Sequence, residues 1–177
     1  MGLPRKSWLP LGFLVILALA GCLGREIQQV VLPVSVASDA LSYAEAKVGA
    51  PYSYGARGPE AFDCSGLIVW AYKQAWPNIT FRVGHEKVSD VNMDALWRFN
   101  VVPVLPENMQ PGDLVFITDD ETKVTHGGLF IRWVDEEHFE FINASSYHRS
   151  VVRDVWPING LIRGQWFVGA GRMQTME

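Results

Sequence analysis

The sequence predicts an α+β domain with helices first and antiparallel strands after, and three observations carry that prediction. Leu67, Ile68, Ala71, Tyr72 and Ala75 form an apolar stripe at helical spacing. Three β-like runs follow, at residues 113–118, 126–133 and 138–142, separated by polar turns. The last two runs are close enough in sequence to pair as an antiparallel hairpin around residues 135–137.

The chain of 177 residues has room for one ordinary domain. With 49% hydrophobic residues and a formal net charge of −4, it is neither a disordered tail nor a strongly basic nucleic-acid binder. Seven Trp, nine Phe and five Tyr are more than a core of this size strictly needs; aromatics most often fill cores, and lining a groove is open to some of these without the sequence showing which.

The N-terminal segment reads as a leader. Arg5 and Lys6 precede an apolar run over residues 9–20, broken only by Pro10 and Gly12, and the run ends in small residues. A membrane-spanning helix needs about 20 apolar residues, so this run is too short for one. Leu19-Ala20-Gly21-Cys22 resembles the lipobox of bacterial lipoproteins. That resemblance implies cleavage between Gly21 and Cys22, lipid on Cys22 and a stable membrane anchor. Leu23 is not the Asp that commonly retains lipoproteins in an inner membrane, which favours the outer membrane, facing the periplasm, in a cell that has two. Residues 24–38, with one Pro and no helical period, read as a tether. The expected organisation is a signal peptide at 1–21, a lipidated cysteine and tether at 22–38, and one folded domain at 39–177.

Lipidation of Cys22 removes the disulfide that two cysteines in an exported chain would otherwise suggest. Cys64 is then an unpaired thiol, to be buried or used. It stands at the head of the predicted helix, in Phe62-Asp63-Cys64-Ser65-Gly66, where Asp63 or Ser65 can cap the first turn. Unpaired N–H groups and the helix dipole favour a thiolate there. Gly66 leaves room at the first turn for another backbone.

A cysteine nucleophile needs a neighbouring base and a third group to orient it. His85, His138 and His148 sit in polar loop stretches. His126 opens the β-like run at 126–133, from which it can point at the end of a helix packed across the sheet. Antiparallel pairing of that run with residues 138–142 brings Asn143 back beside His126. An Asn side-chain oxygen can accept the ring N–H without adding charge.

These residues carry a resemblance to the NlpC family of papain-like cell-wall peptidases, over most of residues 39–173. Val48-Gly49-Ala50-Pro51-Tyr52-Ser53-Tyr54-Gly55 resembles the family's opening segment, Asp63-Cys64-Ser65-Gly66 its nucleophile motif, and Gln110-Pro111-Gly112-Asp113-Leu114-Val115-Phe116 its strand after a tight turn. His126-Gly127-Gly128-Leu129-Phe130 resembles its base strand, Ile142-Asn143-Ala144-Ser145-Ser146 falls at its third polar position, and Phe167-Val168-Gly169-Ala170-Gly171-Arg172 resembles its closing strand. Tyr54-Gly55-Ala56-Arg57 departs from the family's Trp-Gly-Gly, and Asn143 stands where the family most often has His.

The resemblance implies a papain-like fold, with the nucleophile at a helix N-terminus packed on a curved antiparallel sheet. It implies Cys64 as nucleophile, His126 as base and Asn143 as orienter. Tyr52 becomes a hydroxyl donor near the thiolate or oxyanion, and Asp63 and Ser65 become binders of substrate amine or amide groups. The implied activity is hydrolysis of peptidoglycan stem peptides or cross-links at a D-centre bond such as D-glutamyl to diaminopimelate. A helix near residues 90–99, within the aromatic stretch 76–106, is expected to form one wall of the groove.

Two other readings remain open: an inactive lipoprotein scaffold or binder of the same fold, and a Cys–His amidase or acyltransferase on another acyl substrate. The expected partners are peptidoglycan and a membrane. No ligand cluster has metal spacing, no glycine-rich loop cradles a phosphate and no basic stripe is present, so metal, cofactor and nucleic acid are not expected.

Overall fold

The structure is a computed structural model that describes residues 28–176. The signal segment, the lipobox and Cys22 lie outside the described residues. The chain runs β1 (Gln29–Val31), α1 (Val34–Glu45), α2 (Cys64–Ala75), β2 (Phe81–Val83), β3 (Glu86–Val88), α3 (Met93–Phe99) and β4 (Val101–Val104). After a 3₁₀ turn at Pro106–Asn108 come β5 (Leu114–Thr118), β6 (His126–Trp133), β7 (His138–Ser145), β8 (Ser150–Pro157) and β9 (Trp166–Met176). The α+β class holds.

A seven-stranded antiparallel sheet orders its strands β1-β9-β5-β6-β7-β8, with β4 also on β9, while β2 and β3 form a separate hairpin. Strands β5 and β6 are apolar on both sides because both faces of the sheet are covered. Leu114, Phe116, Leu129, Ile142 and Ala144 face a core shared with α1 and α2. Val115, Ile117, Phe130, Phe139, Phe141 and Trp156 form a second cluster on the other face. Register shifts at Phe116/Ile117 and Phe130/Arg132 mark irregularities that bend such a sheet.

Helix α1 buries Val36, Ala37, Ala40, Leu41 and Ala44 on one face and packs on α2. Its course corrects the tether reading of residues 24–38. Residues 29–31 pair with β9, and α1 begins at Val34 inside the expected tether. The start was hard to read because Pro33 precedes it and no side chain caps it. Strand β8 was also unforeseen: Arg153 and Asp154 interrupt its apolar pattern, and it lies at the end of the sheet.

Helix α2 packs against β6 and β7, and this contact points its N-terminus at the start of β6. Tyr72 on α2 donates its hydroxyl to Gly112 O at 2.9 Å, tying the helix to the turn before β5. Asp113, 1% exposed, is gripped at both oxygens by Arg172 of β9 at 2.9 Å. The expected helix near residues 90–99 is the shorter α3, capped by Asn92 through Ala95 N.

Candidate active site

Asp63, in extended conformation, caps α2 by accepting from Gly66 N at 2.6 Å. The same carboxylate accepts from Ser65 Oγ at 3.0 Å, Arg57 Nη1 at 2.7 Å and Gly55 N at 3.0 Å. One buried side chain thus joins the loop over residues 55–57 to the start of the helix. Gly66 makes that approach possible: a Cβ there would stand 2.1 Å from Ala56 O. Asp63 and Ser65, at 7% and 4% exposure, bond each other and do not line the cavity that holds Cys64. The structure places both at the helix start, beside that cavity's lining rather than in it. Asp63 Oδ1 accepts three of these bonds and Oδ2 the one from Gly55 N, while the Ser65 hydroxyl spends its proton on Asp63.

Cys64 is the first residue of α2, and His126 the first of β6. Both line one cavity of about 210 Å³, with Tyr52 on the wall beside them. Cys64 Sγ donates to Thr125 O, the carbonyl preceding His126, at 3.9 Å. His126 Nε2 lies 3.2 Å from Asn143 Oδ1. An amide oxygen requires a proton on Nε2, so this contact leaves Nδ1 with the lone pair. The pairing expected from the hairpin is present, and Gly128 lets it close: a Cβ at Gly128 would stand 2.1 Å from Ile142 O and 3.0 Å from Asn143 Cβ. Asn143 lies inside β7 and is 1% exposed.

The electrostatics differ from the expectation of a thiolate. Burial, then the nearby Asp63 charge, pushes the Cys64 thiol up to about 12, against the opposing pull of the backbone N–H groups of Ser65 and Cys64. Burial holds the His126 ring below its ordinary 6.5, with the Asn143 contact pulling the other way. Desolvation works against the helix N-terminus here and favours the uncharged form of each group. Tyr52 is also raised, first by burial and then by Cys64 and Asp63, so it remains a hydroxyl donor. A thiol and an imidazole lining one cavity are the parts that nucleophilic catalysis by cysteine requires.

Residues 49–169 match the NlpC/P60 family. The chain belongs to this family. It is 32% identical over 141 residues to a probable endopeptidase p60 of Listeria grayi, covering 78% of this chain and 24% of that one. It is also 32% identical over 89 residues to a gamma-DL-glutamyl hydrolase of Bacillus subtilis, covering 49% of this chain and 19% of the relative. An NlpC/P60 family protein from Bacillus cereus has the same fold, with a TM-score of 0.57 at 24% identity, over 81% of this chain and 41% of that one. The chain thus spans about a quarter or less of the length of these two curated relatives.

Other walls of the NlpC/P60 cavity escaped the sequence reading. Asp119 and Thr125 come from the β5–β6 turn, Tyr147 from the β7–β8 turn, Asp154 and Trp156 from β8, and Arg163 from the β8–β9 turn. Tyr147 follows the Asn143 motif closely enough to have been suspected, whereas β8 itself was not seen. The stretch 76–106 does not wall this cavity. Trp97 and Arg98 instead line a separate cleft of about 390 Å³ with Trp166 and Lys123. Among the described residues no group of His, Cys, Asp and Glu is arranged to hold a metal ion.

Proposed function

We propose that the chain is a cysteine endopeptidase that hydrolyses peptide bonds in peptidoglycan stem peptides or cross-links, at a D-centre bond such as D-glutamyl to diaminopimelate. The observation that carries this reading is the single cavity in which Cys64 stands beside a His126 ring oriented by Asn143. The gamma-DL-glutamyl hydrolase among the relatives supports a γ-linked D-glutamyl bond in particular.

In this reading Cys64 Sγ attacks the amide carbonyl while His126 Nδ1 takes the thiol proton. The ring then protonates the leaving amine, and water, deprotonated by the same nitrogen, releases the acyl group from sulfur. In the same reading the N–H of Cys64 at the head of α2 and the Tyr52 hydroxyl bind the oxyanion. Cys64→Ala protein incubated with purified sacculi should release no new fragments, and mass spectrometry of the wild-type digest should find new termini at the γ-glutamyl bond. Release by the alanine protein at the wild-type rate would falsify the reading.

Cys22 is further proposed to carry diacylglycerol, anchoring the chain in the cell envelope, at the outer membrane facing the periplasm where there are two. Metabolic labelling with an alkyne fatty acid should mark the wild type and miss Cys22→Ala. Equal label on both would overturn the anchor.

A further inference from the structure

The tip between β8 and β9 holds a residue that its backbone does not favour. Ile162 and Gln165 exchange backbone hydrogen bonds of 2.9 Å in both directions. Between them, Arg163 and Gly164 have φ of 54° and 77°. Two central residues with positive φ make a type I′ hairpin loop, for which Asn-Gly is the favoured pair. A Cβ-bearing residue without a short polar side chain is uncommon there, and such backbone outliers cluster at functional sites.

The Arg163 side chain lines the cavity of Cys64 and His126, and it is the only Lys or Arg to do so among the described residues. Its guanidinium lies 3.9 Å from the centre of the Tyr147 ring. Nη1 donates to Asp154 Oδ2 at 3.4 Å, and Nη2 lies 3.4 Å from His148 Nε2. Both polar contacts are long beside the roughly 2.7–2.9 Å of a charge-assisted hydrogen bond. The planar group is therefore oriented by stacking while its donors stay undersatisfied. Asp119, another acid on the wall, accepts from Thr125 Oγ1 at 2.7 Å within its own turn.

The geometry points to Arg163 as the specificity-determining residue for a substrate carboxylate beside the scissile amide. This rests on the γ-glutamyl reading above, because a γ-linked glutamyl residue leaves its α-carboxylate free on the acyl side of the bond. A fork that can take two parallel hydrogen bonds suits that group, and a neutral carboxamide offers it one acceptor and no charge. Stems whose α-carboxylate is amidated are then poor substrates. The turn carries Arg in place of the residue that its own conformation prefers because the side chain is needed at the cavity.

The test uses two synthetic stem peptides that differ only in an α-carboxylate or α-carboxamide on the γ-linked D-glutamyl residue. Wild-type kcat/KM should favour the carboxylate by about 10- to 100-fold, the range of one charge-assisted contact. Arg163→Asn, which suits the I′ turn, should melt no lower than wild type yet lose the preference, mainly through KM, and Arg163→Lys should recover part of it. A preference retained by Arg163→Asn, or absent from the wild type, overturns the assignment and leaves the peptidase reading intact. If the wild type cleaves neither peptide, the peptidase reading fails instead. Calorimetric binding of both peptides to Cys64→Ala, with and without Arg163→Asn, then judges Arg163 separately: equal binding by both proteins overturns it.

Discussion

Burial raises the Cys64 thiol and lowers the His126 ring, so at both groups it favours the uncharged form. His126 is held below 6.5 chiefly by burial, and only its neutral form can act as base. The acid limb of kcat/KM should therefore fall below pH 6.5, with activity lost as pH drops through the depressed value. Asn143 opposes this depression most, ahead of the charges of Asp154 and Asp119. Asn143→Ala should move the limb to still lower pH and lower kcat by about 10- to 100-fold through lost ring orientation. A limb at or above 6.5, or one that moves upward in the variant, would contradict this account. The meeting of His126 with Asn143 was legible in the sequence because a short polar turn separates their strands, and Cys64 was legible as the head of an apolar helical stripe. The effect of burial on the two groups was not, because it depends on which distant residues share their cavity, β8 and the β5–β6 turn among them.

At the scale of elements, the site depends on two close backbone approaches. Ala56 O reaches the first turn of α2 at Gly66, and β7 reaches β6 at Gly128. Gly66→Ala would put a methyl group 2.1 Å from a carbonyl oxygen that is held by Asp63 N at 3.0 Å. Overpacking of this kind costs about 1–3 kcal/mol, which should appear as a lower melting temperature together with reduced activity, since the same turn carries Cys64. An unchanged melting curve would mean that the loop over residues 55–57 moves freely, against the hydrogen bonds that Asp63 makes to Gly55, Ala56 and Arg57. The sequence marked Gly66 as a place for another backbone, though not which one. It suggested Asp63 as a cap or a substrate ligand, and only the folded loop, with Arg57 2.7 Å away, assigns its oxygens to the cap.

Across the whole molecule, β9 collects β1, β4 and β5, so the two ends of the described chain are stitched together. Leu32 N donates to Met173 O at 2.9 Å, and Leu32, Val36 and Ala37 are buried. A chain starting at residue 39 would lose β1 and the head of α1. Burial of a side chain such as Leu32 or Val36 contributes about 1.5–3 kcal/mol. Thermal melting should thus place the chain starting at 39 well below one starting at 28, and equal melting would restore the tether reading. Residues before 39 were misread because their side chains are small and β-branched, with no cap and little periodicity. Their helix is stabilised by packing on α2, which a local pattern does not contain.

The sequence by itself determined the class of the fold, the helix with Cys64 at its head, and the strand pair that joins His126 to Asn143. These are local matters of apolar period, capping and hairpin length, and neighbouring residues encode them. Tertiary structure decided that α1 begins at Val34, that Asp63 caps the start of α2 with Ser65 bonded to it, and that burial works against charge on Cys64 and His126. It also decided that Arg163, almost a hundred residues from Cys64 in the chain, stands on the same cavity wall. Those outcomes depend on long-range burial and on strand β8, and neither leaves a periodic trace near the residues it governs.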